Sequence, residues 1–360
     1  MYVMREILED DLDGLFELAT HLDTLNLPAD RKRLASIIAE SRASFSKTVP
    51  THDRIYLFAL LEGGEHLIGT CMIIGQHGTF ERPSIYFDVR EEQKYSTTLE
   101  KLFVHQVLQI VYNFDGASEI GGLILHPDYQ RHRLKLGKLL SFVRFLFIGM
   151  HRSEFRDEIV AELLPHLNED GTSDLWECLG ANFTKLDYRT ADKMSRENVE
   201  FIRSLFPQTP IYTALLPEEV RELIGVVGEP TKPVEKMLRS IGFEWDKSID
   251  PFDGGPTFVC RTDDCRMVQR THLSTVAGVL EGRRGEGRAL IGVVPEDEEV
   301  RFRSALARYK RGPEGYRIDG ECFEDLELEE GDAIGIMPLS GPDIKDFYRV
   351  KDDPGEWKKC

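Results

Sequence analysis

The sequence predicts an α/β fold, or α+β in the looser sense, in which helices flank a mixed sheet. The first observation is that short β-like runs alternate with helical periodicities along residues 1–265. The second is a hairpin signal, Glu62-Gly63-Gly64-Glu65, between two apolar runs. The third is a buried-strand pattern at 120–125 that turns at His126-Pro127 and leads through a basic loop into a helix. Beyond Arg266, short β-like runs and Gly/Arg turns predict a small β-rich C-terminal module.

Strands are expected where β-branched and aromatic residues concentrate, and helices where apolar residues recur three or four positions apart. The predicted strands are 2–7, 55–61, 66–74, 84–89, 120–125, 158–164, 182–186 and 257–260, followed by 290–294, 315–318 and 333–337. The predicted helices are 10–22, 31–45, 97–112, one from the basic loop to about 150, 173–179, 195–206, 217–224 and 233–240.

The length of 360 residues exceeds one average domain, so we expect the chain to divide. The expected parts are an N-terminal domain at 1–190, a second lobe at 191–265 that completes the substrate site, the β-rich module at 266–340 and a loosely held tail at 341–360.

Composition excludes several classes of function. A net charge of −18 argues against nucleic acid or an anionic membrane as the main partner. The six cysteines are scattered, and only Cys260 and Cys265 are close, with no nearby histidine to complete a zinc pattern. The cysteines therefore indicate reduced thiols in the cytoplasm and predict no metal site. Acidic residues near the N-terminus argue against a signal peptide, and the sequence has no apolar run long enough to span a membrane.

The stretch 118–141 carries the strongest local signal. Four cations, Arg131, Arg133, Lys135 and Lys138, stand where the helix after the buried strand begins. A helix start offers free backbone N–H groups and the positive end of the helix dipole, which suit a pyrophosphate. Arginine and lysine strengthen such a site, although a solvated basic helix start is the plain alternative.

The order of elements resembles that of the GNAT superfamily of acyl-CoA-dependent N-acyltransferases. Their pyrophosphate loop carries a Q/R-x-x-G-x-G/A pattern, and the segment 130–137 keeps Gly137 while cations replace the other small residues. The resemblance implies a GNAT-like mixed sheet in which Leu123, with Leu125 beside it, contacts the acyl-CoA through backbone groups.

Four further segments resemble the arginine N-succinyltransferase family of GNAT-related enzymes. They are Leu27-Pro28-Ala29-Asp30, Asp187-Tyr188-Arg189-Thr190-Ala191-Asp192, Pro210-Ile211-Tyr212-Thr213 and Ile249-Asp250-Pro251-Phe252-Asp253-Gly254-Gly255-Pro256-Thr257. The resemblance covers about residues 1–340. It implies transfer of succinyl from succinyl-CoA to the α-amine of arginine in arginine catabolism, by a cytoplasmic homodimer without a permanently bound cofactor.

The same resemblance reveals a departure. The family's proposed catalytic histidine lies in an I-G-x-V-H-P-x-T-x-P segment, and Gly228 stands at that position here. The adjacent Glu229 is the candidate base, with an ordinary exposed glutamate as the alternative. Tyr212 is the candidate donor to the departing thiolate, or else a core aromatic residue.

Two residues are candidates for holding the amine substrate. Asp253 offers a carboxylate that pairs with a guanidinium, unless it only forms the turn before Gly254. Asn26 follows the first helix, on the substrate side in this superfamily, with a turn role as its alternative. His126, at the end of the buried strand, is a less favoured base.

The sequence leaves three functions open. The main prediction is an arginine N-succinyltransferase. The absence of histidine at Gly228 also permits a non-catalytic relative or a hetero-oligomer subunit that binds CoA or arginine. A third reading is an N-acyltransferase for another amine or acyl group, because few side chains set such specificity.

Overall fold

The computed structural model describes residues 2–21, 27–195, 198–282, 285–295 and 300–340. The chain divides into two compact units. The first combines Met1–Gly75, Ile120–Arg156 and Thr262–Cys360, and the second combines Gln76–Glu119 and Asp157–Arg261. The four-part division expected from the sequence has other boundaries and stays a prediction, and its tail lies outside the described residues.

The described elements are given in chain order. The strands are β1 Tyr2–Glu6, β2 Ile55–Glu62, β3 His66–Ile74, β4 Ser84–Ser96, β5 Lys101–Asn113, β6 Ser118–Leu125, β7 Glu158–Glu162, β8 Ile211–Tyr212, β9 Glu244–Ile249, β10 Pro256–Arg261, β11 His272–Val279, β12 Gly287–Val293, β13 Arg303–Gly312, β14 Gly315–Ile318 and β15 Ala333–Ser340. The helices are α1 Leu12–His21, α2 Arg31–Phe45, α3 Leu136–Met150, α4 Ala181–Thr184, α5 Tyr188–Ser195, α6 Glu200–Leu205, α7 Glu218–Leu223, α8 Lys232–Ser240, α9 Arg266–Arg270 and α10 Gly320–Asp325.

The sheet of the first unit continues from the N-terminal strands into the C-terminal module. Its strand order is β12-β15-β11-β14-β13-β1-β2-β3-β6, and β1 joins the two parts by pairing antiparallel with both β2 and β13. Helices α1 and α2 bury one apolar face each, and Leu15, Leu34 and Ile38 share a core with Leu57 of β2. The predicted mixed sheet with flanking helices is confirmed.

The C-terminal module is a closed ring of strands. Besides its place in the sheet, β12 pairs antiparallel with β13, so β11 to β15 enclose their own core. Ala289, Ile291, Ala305 and Ile336 lie in that core. Closure removes free strand edges, which explains how short β-runs with Gly/Arg turns form a stable module.

Helix α3 is buried along almost its whole length. It packs against β3 on one side and against α9, β12 and β15 of the same unit. This surrounding explains its largely apolar sequence from Leu139 to Ile148, in which Ser141 and Arg144 are the polar exceptions. Among the described residues, no helix is both long enough and apolar enough to cross a membrane.

The sheet of the second unit is ordered β6-β7-β10-β9-β4-β5-β8. Strand β6 enters it with Ser118 and Glu119 before continuing in the first unit. These residues pair in parallel with Ile159 and Val160 of β7. The core gathers Phe87, Leu108 and Ile249 from the strands with Trp176.

The helix predicted at 97–112 is wrong, because this segment forms β5 in a long hairpin with β4. The facing pairs Phe87↔Ile110 and Val89↔Leu108 are buried, and the pair between them, Asp88↔Gln109, is more exposed. Burial therefore alternates with the period of a strand, and the β-branched residues of the segment favour that conformation.

The strand predicted at 182–186 is also wrong, because α4 continues the helical turn formed by Trp176–Gly180. The Asn182 and Thr184 side chains donate to the carbonyls of Cys178 and Gly180, at 2.8 and 2.9 Å. These bonds close the turn locally. Four further strands, β8, β9, β11 and β13, were not predicted. Strand β8 has only two residues, and polar residues interrupt the apolar patterns of the other three.

Candidate functional site

Strand β6 of the first unit is irregular at its centre. Gly122 has a φ of 55°, and a Cβ there would approach Met72 Cγ to 3.0 Å and Leu27 Cδ1 to 3.1 Å. Only glycine fits this left-handed conformation without strain. The irregularity re-aims the peptide groups that follow it, at half-buried Leu123 and on towards Leu125.

A buried arginine holds the strand just before this irregularity. Arg144 of α3 is 2 % exposed and donates to the Gly121 carbonyl at 3.2 Å. It also donates to the Ser141 carbonyl at 3.1 Å and the Ser141 hydroxyl at 2.7 Å. Burial lowers the pKa of Arg144. The guanidinium thus ties α3 to β6 through neutral oxygens, an expensive arrangement that fixes the Gly121-Gly122 backbone.

The basic loop between β6 and α3 has a glycine-like backbone without the glycines. Arg131 and Lys135 have φ values of 60° and 54°, in the left-handed region that favours glycine. Arg131, Arg133, Lys135 and Lys138 are exposed, and Gly137 is half-buried in the first turn of α3. Desolvation and the charges of Lys135 and Arg270 lower the pKa of Lys138. The predicted cationic helix start is therefore brought together in one place.

The loop is fixed to the sheet beside it. The Tyr129 hydroxyl donates to the Glu62 carboxylate at the end of β2, and the Tyr2 hydroxyl donates to the other oxygen of Glu62 at 3.0 Å. These hydrogen bonds lower the pKa of Glu62. The Tyr2 ring also meets His132 edge-on, with 5.3 Å between ring centres. The cations are thus presented on an anchored loop, which reduces the entropy lost when they bind an anion.

The second unit carries a histidine between two carboxylates. His77 Nδ1 lies 2.7 Å from Glu119 Oε2, and its Nε2 lies 3.6 Å from Glu162 Oε1. Burial disfavours the charged imidazole, but Glu119 and Glu162 outweigh it and raise the pKa of His77 to about 9. Glu119 is 3 % exposed in its side chain and Glu162 is 40 % exposed. We call these three residues the His77 cluster.

Carboxylates in and beside the His77 cluster hold protons more tightly than usual. Desolvation, with Glu119 and Asp253 nearby, raises the pKa of Glu162 to about 7. Desolvation and Glu162 raise the pKa of Asp250 to about 7 as well. Desolvation and Asp250 raise the pKa of Asp253 well above its ordinary value. Such crowding of negative charge favours a cationic ligand.

Asp253, the predicted substrate residue, has a turn contact as well. Its Oδ1 accepts the Gly255 N–H at 2.8 Å, and Asp250 Oδ1 accepts the N–H groups of Phe252 and Asp253 at 2.7 and 3.1 Å. Turn formation is therefore present, and a role in substrate binding stays a prediction. The segment lies beside β7, because Thr257 of β10 pairs with Glu162.

Gly228 has no room for a side chain. Its N–H donates to the Leu164 carbonyl at 3.0 Å, and Pro165 and Val227 form a bridge beside it. A Cβ on Gly228 would overlap the Pro165 carbonyl oxygen and lie 2.9 Å from its carbonyl carbon. The loop therefore differs from the family pattern in sequence, and its backbone also leaves no room for a histidine side chain at this position.

The other candidate residues are not brought to the His77 cluster by the contacts of the structure. Glu229 is 80 % exposed and forms an ion pair with Lys232. The Tyr212 hydroxyl donates to Glu92 Oε2 at 2.5 Å, which ties β8 to the β4–β5 hairpin. Their catalytic roles stay predictions, and Asn26 lies outside the described residues.

Sequence reasoning missed the His77 cluster. Glu119 and Glu162 lie 42 and 85 positions after His77 in the sequence, so no local spacing pattern connects the three residues. One signal was available, because Glu119 and Glu162 are charged residues inside otherwise apolar strand patterns. A carboxylate in such a place needs a partner or a function.

Replacing Arg144 tests its hold on β6. We expect Arg144→Leu to lower the free energy of unfolding by about 1–3 kcal/mol, because the Gly121 carbonyl loses its donor. Urea denaturation measures the change. The control is Arg33→Leu, whose exposed pair with Glu40 contributes little. Equal midpoints for Arg144→Leu and wild type would contradict the assignment.

A side chain at position 228 should destabilise the fold. Because a Cβ overlaps Pro165, Gly228→Ala is expected to lower the free energy of unfolding by about 1–3 kcal/mol. The matched control is Gly137→Ala, where the added Cβ lies 3.6 Å from Leu125 Cδ2 and should be tolerated. Thermal unfolding compares the two, and an unchanged Gly228→Ala would show that the loop has space.

The His77 cluster predicts a pH dependence of stability. The raised pKa of His77 gives a stabilisation that is complete below about 6.5 and is lost as the pH rises through about 9. The free energy of unfolding should therefore fall across this window, and fall less steeply in His77→Gln. His52→Gln, an exposed histidine, is the control. Parallel profiles for His77→Gln and wild type would disprove the ion pair.

The chain is similar to known proteins along most of its length. A family model described as the arginine N-succinyltransferase beta subunit matches residues 2–267. The arginine N-succinyltransferase subunit beta of Pseudomonas aeruginosa is 32 % identical over 345 residues, covering 94 % of this chain and 98 % of the relative. An arginine N-succinyltransferase of Yersinia pestis (strain Pestoides F) is 30 % identical over 351 residues, covering 96 % and 100 %.

A solved structure agrees with these sequence relatives. The arginine/ornithine succinyltransferase subunit AI from Pseudomonas aeruginosa superimposes with a TM-score of 0.81 at 27 % identity, covering 95 % of this chain and 99 % of that one. The similarity thus includes both compact units and the closed C-terminal ring. The chain belongs to the arginine N-succinyltransferase family.

Proposed function

We propose that this protein is an acyl-CoA-dependent N-acyltransferase that transfers succinyl from succinyl-CoA to the α-amine of arginine. The observation that carries the proposal is similarity to arginine N-succinyltransferases over 94 % of the chain. The anchored cationic loop before α3 supports an acyl-CoA co-substrate. We further propose a homodimer in the cytoplasm, with no permanently bound cofactor.

The acyl-CoA would bind on the first unit. Arg131, Arg133 and Lys135 would meet its phosphates, together with the free N–H groups of the first turn of α3. Backbone groups at Leu123 would meet the pantetheine arm, since Gly122 re-aims the strand there. A backbone N–H is also a suitable donor to the thioester oxygen as negative charge develops on it.

The chemistry is direct attack by the amine on the thioester. The α-ammonium must first lose a proton, because only the neutral nitrogen has a free lone pair. The nitrogen then bonds to the carbonyl carbon and loses a second proton as the carbon–sulfur bond breaks, and the departing CoA thiolate takes up a proton to become the thiol. The crowded carboxylates Glu162, Asp250 and Asp253 would attract a cationic amino acid to the second unit.

A second candidate function is binding without catalysis. It is favoured by Gly228, which carries no acid or base at the family's histidine position and leaves no space for one. Purified protein should release thiol from succinyl-CoA in the presence of arginine, and ornithine, lysine and other acyl-CoAs give the specificity. Binding of succinyl-CoA by calorimetry without thiol release from any pair would favour this second candidate.

The cationic loop makes a separate prediction. The double variant Arg131→Gln/Arg133→Gln should raise the KM for succinyl-CoA about tenfold or more, because two charge-assisted contacts to phosphate are lost. The KM for arginine should not move. Lys101→Gln, an exposed lysine on β5, is the control. An unchanged KM for succinyl-CoA would place the phosphates elsewhere.

A further inference from the structure

We propose that the His77 cluster is the proton-accepting part of the amine site, in which Glu162 takes a proton from the substrate ammonium and His77 positions its carboxylate. The inference rests on the proposed N-acyltransferase function and adds to it a base that the family's histidine position does not supply. It assigns new roles to His77, Glu119 and Glu162.

Strand geometry brings the two carboxylates of the cluster to one face of the sheet. Glu119 of β6 pairs in parallel with Val160 of β7, so their side chains lie on the same face. Glu162 lies two residues beyond Val160 and therefore shares that face. His77 lies between the carboxylates, with Nδ1 towards Glu119 and Nε2 towards Glu162. The arrangement therefore depends on the regular backbone of two strands.

The two carboxylates of the cluster differ in burial and therefore in role. Glu119 is almost fully buried, and a buried carboxylate requires a charged or hydrogen-bonding partner, here His77. With Nδ1 2.7 Å from Glu119 Oε2, the other ring nitrogen of the imidazolium lies 3.6 Å from Glu162 Oε1, within ion-pair distance. Glu162 remains 40 % exposed and can meet a ligand. Glu119 and His77 thus hold the Glu162 carboxylate in position, and Glu162 accepts the proton.

The charged groups around Glu162 come from several elements. His77 contributes a positive charge from the segment before β4, and the other charged groups that act on Glu162 are Glu119 of β6, Asp246 of β9, and Asp250 and Asp253 of the following turn. Acidic groups outnumber the one imidazolium here, and a bound cation would lower their raised pKa values and favour their charged forms, which suits an ammonium. A carboxyl group whose pKa is about 7 is matched to proton transfer at neutral pH.

The proton transfer balances without any further reactant. An N–H bond of the α-ammonium breaks and an O–H bond forms on the Glu162 carboxylate. The electron pair of the broken bond stays on nitrogen and becomes the nucleophile for the thioester carbon. Glu162 later returns its proton to water. His77 keeps both of its ring protons throughout and acts as a positioning residue.

The alternative bases have weaker support. Glu229 is 80 % exposed and forms an ion pair with Lys232, so its carboxylate already has a cationic partner at the surface. Gly228 cannot carry a base without moving the Pro165 carbonyl. In the part of the chain that the structure describes, His77 is the histidine held between carboxylates of two paired strands.

The first experiment replaces Glu162 with glutamine and assays thiol release from succinyl-CoA with arginine. We expect kcat to fall about 10²- to 10⁴-fold, as when a general base is removed. Glu158→Gln, at the exposed start of the same strand, is the matched control and should keep wild-type kcat. Equal kcat for Glu162→Gln and Glu158→Gln would overturn the inference.

The second experiment separates positioning from structural support. In wild type, kcat/KM should decline below about pH 7 as Glu162 becomes protonated. His77 lowers the pKa of Glu162, so His77→Gln should move this decline upwards by about one pH unit or more. A merely structural role would lower activity at every pH and leave the profile in place, which would overturn the role of His77.

The third experiment keeps the two proposals distinguishable. Calorimetry measures arginine binding to wild type, Glu162→Gln and Glu158→Gln without any acyl-CoA. Weaker binding, by about tenfold, in Glu162→Gln alone supports the amine site even if wild type releases no thiol, in which case the proposed reaction fails. If wild type releases thiol and Glu162→Gln releases it at the same rate, the proposed reaction stands and the role of Glu162 as base is rejected. If wild type neither binds arginine nor releases thiol, both proposals are rejected.

Discussion

The ion pair between His77 and Glu119 is the interaction on which the chemistry of the second unit depends. Glu119 lies in the short parallel pairing of β6 with β7, where its side chain is hidden from water. A carboxylate there is tolerated because an imidazolium lies 2.7 Å away. The other ring nitrogen of this imidazolium lies 3.6 Å from Glu162 Oε1, which places positive charge beside Glu162. The burial of Glu119, compensated by His77, therefore sets the charge around all three titratable groups of the His77 cluster.

The cationic loop of the first unit differs from a glycine-rich phosphate-binding loop. Glycines would allow backbone N–H groups to approach phosphate, but they would bring no charge. Here Arg131 and Lys135 adopt the left-handed conformation themselves, at some strain, and add their charges at the same positions. The Tyr129–Glu62 hydrogen bond and buried Arg144 hold the loop and the strand in place. The strained backbone lowers the stability of the loop, and the side chains add positive charge at the start of α3.

Sequence reasoning succeeded where a pattern is local. Helix α2 was predicted at its observed bounds, and the hairpin of β2 and β3 followed from Gly63-Gly64. It failed for β5, whose apolar residues fit either period until the facing residues of β4 decide between them. The cationic loop was visible because four charges are adjacent in the chain. The His77 cluster was not, because strand pairing alone brings its members together.

The pairing of β1 with β13 has a consequence for the order of events in folding. Val3 faces Ala305, so one edge of the N-terminal strand is completed by a residue made some three hundred positions later. Contacts of such sequence separation slow folding, because a long loop must close first. During synthesis, β1 can pair with β2 early, but its other edge stays open until the C-terminal ring has emerged. The second unit, encoded between these partners, has all its strands available before the first unit is closed.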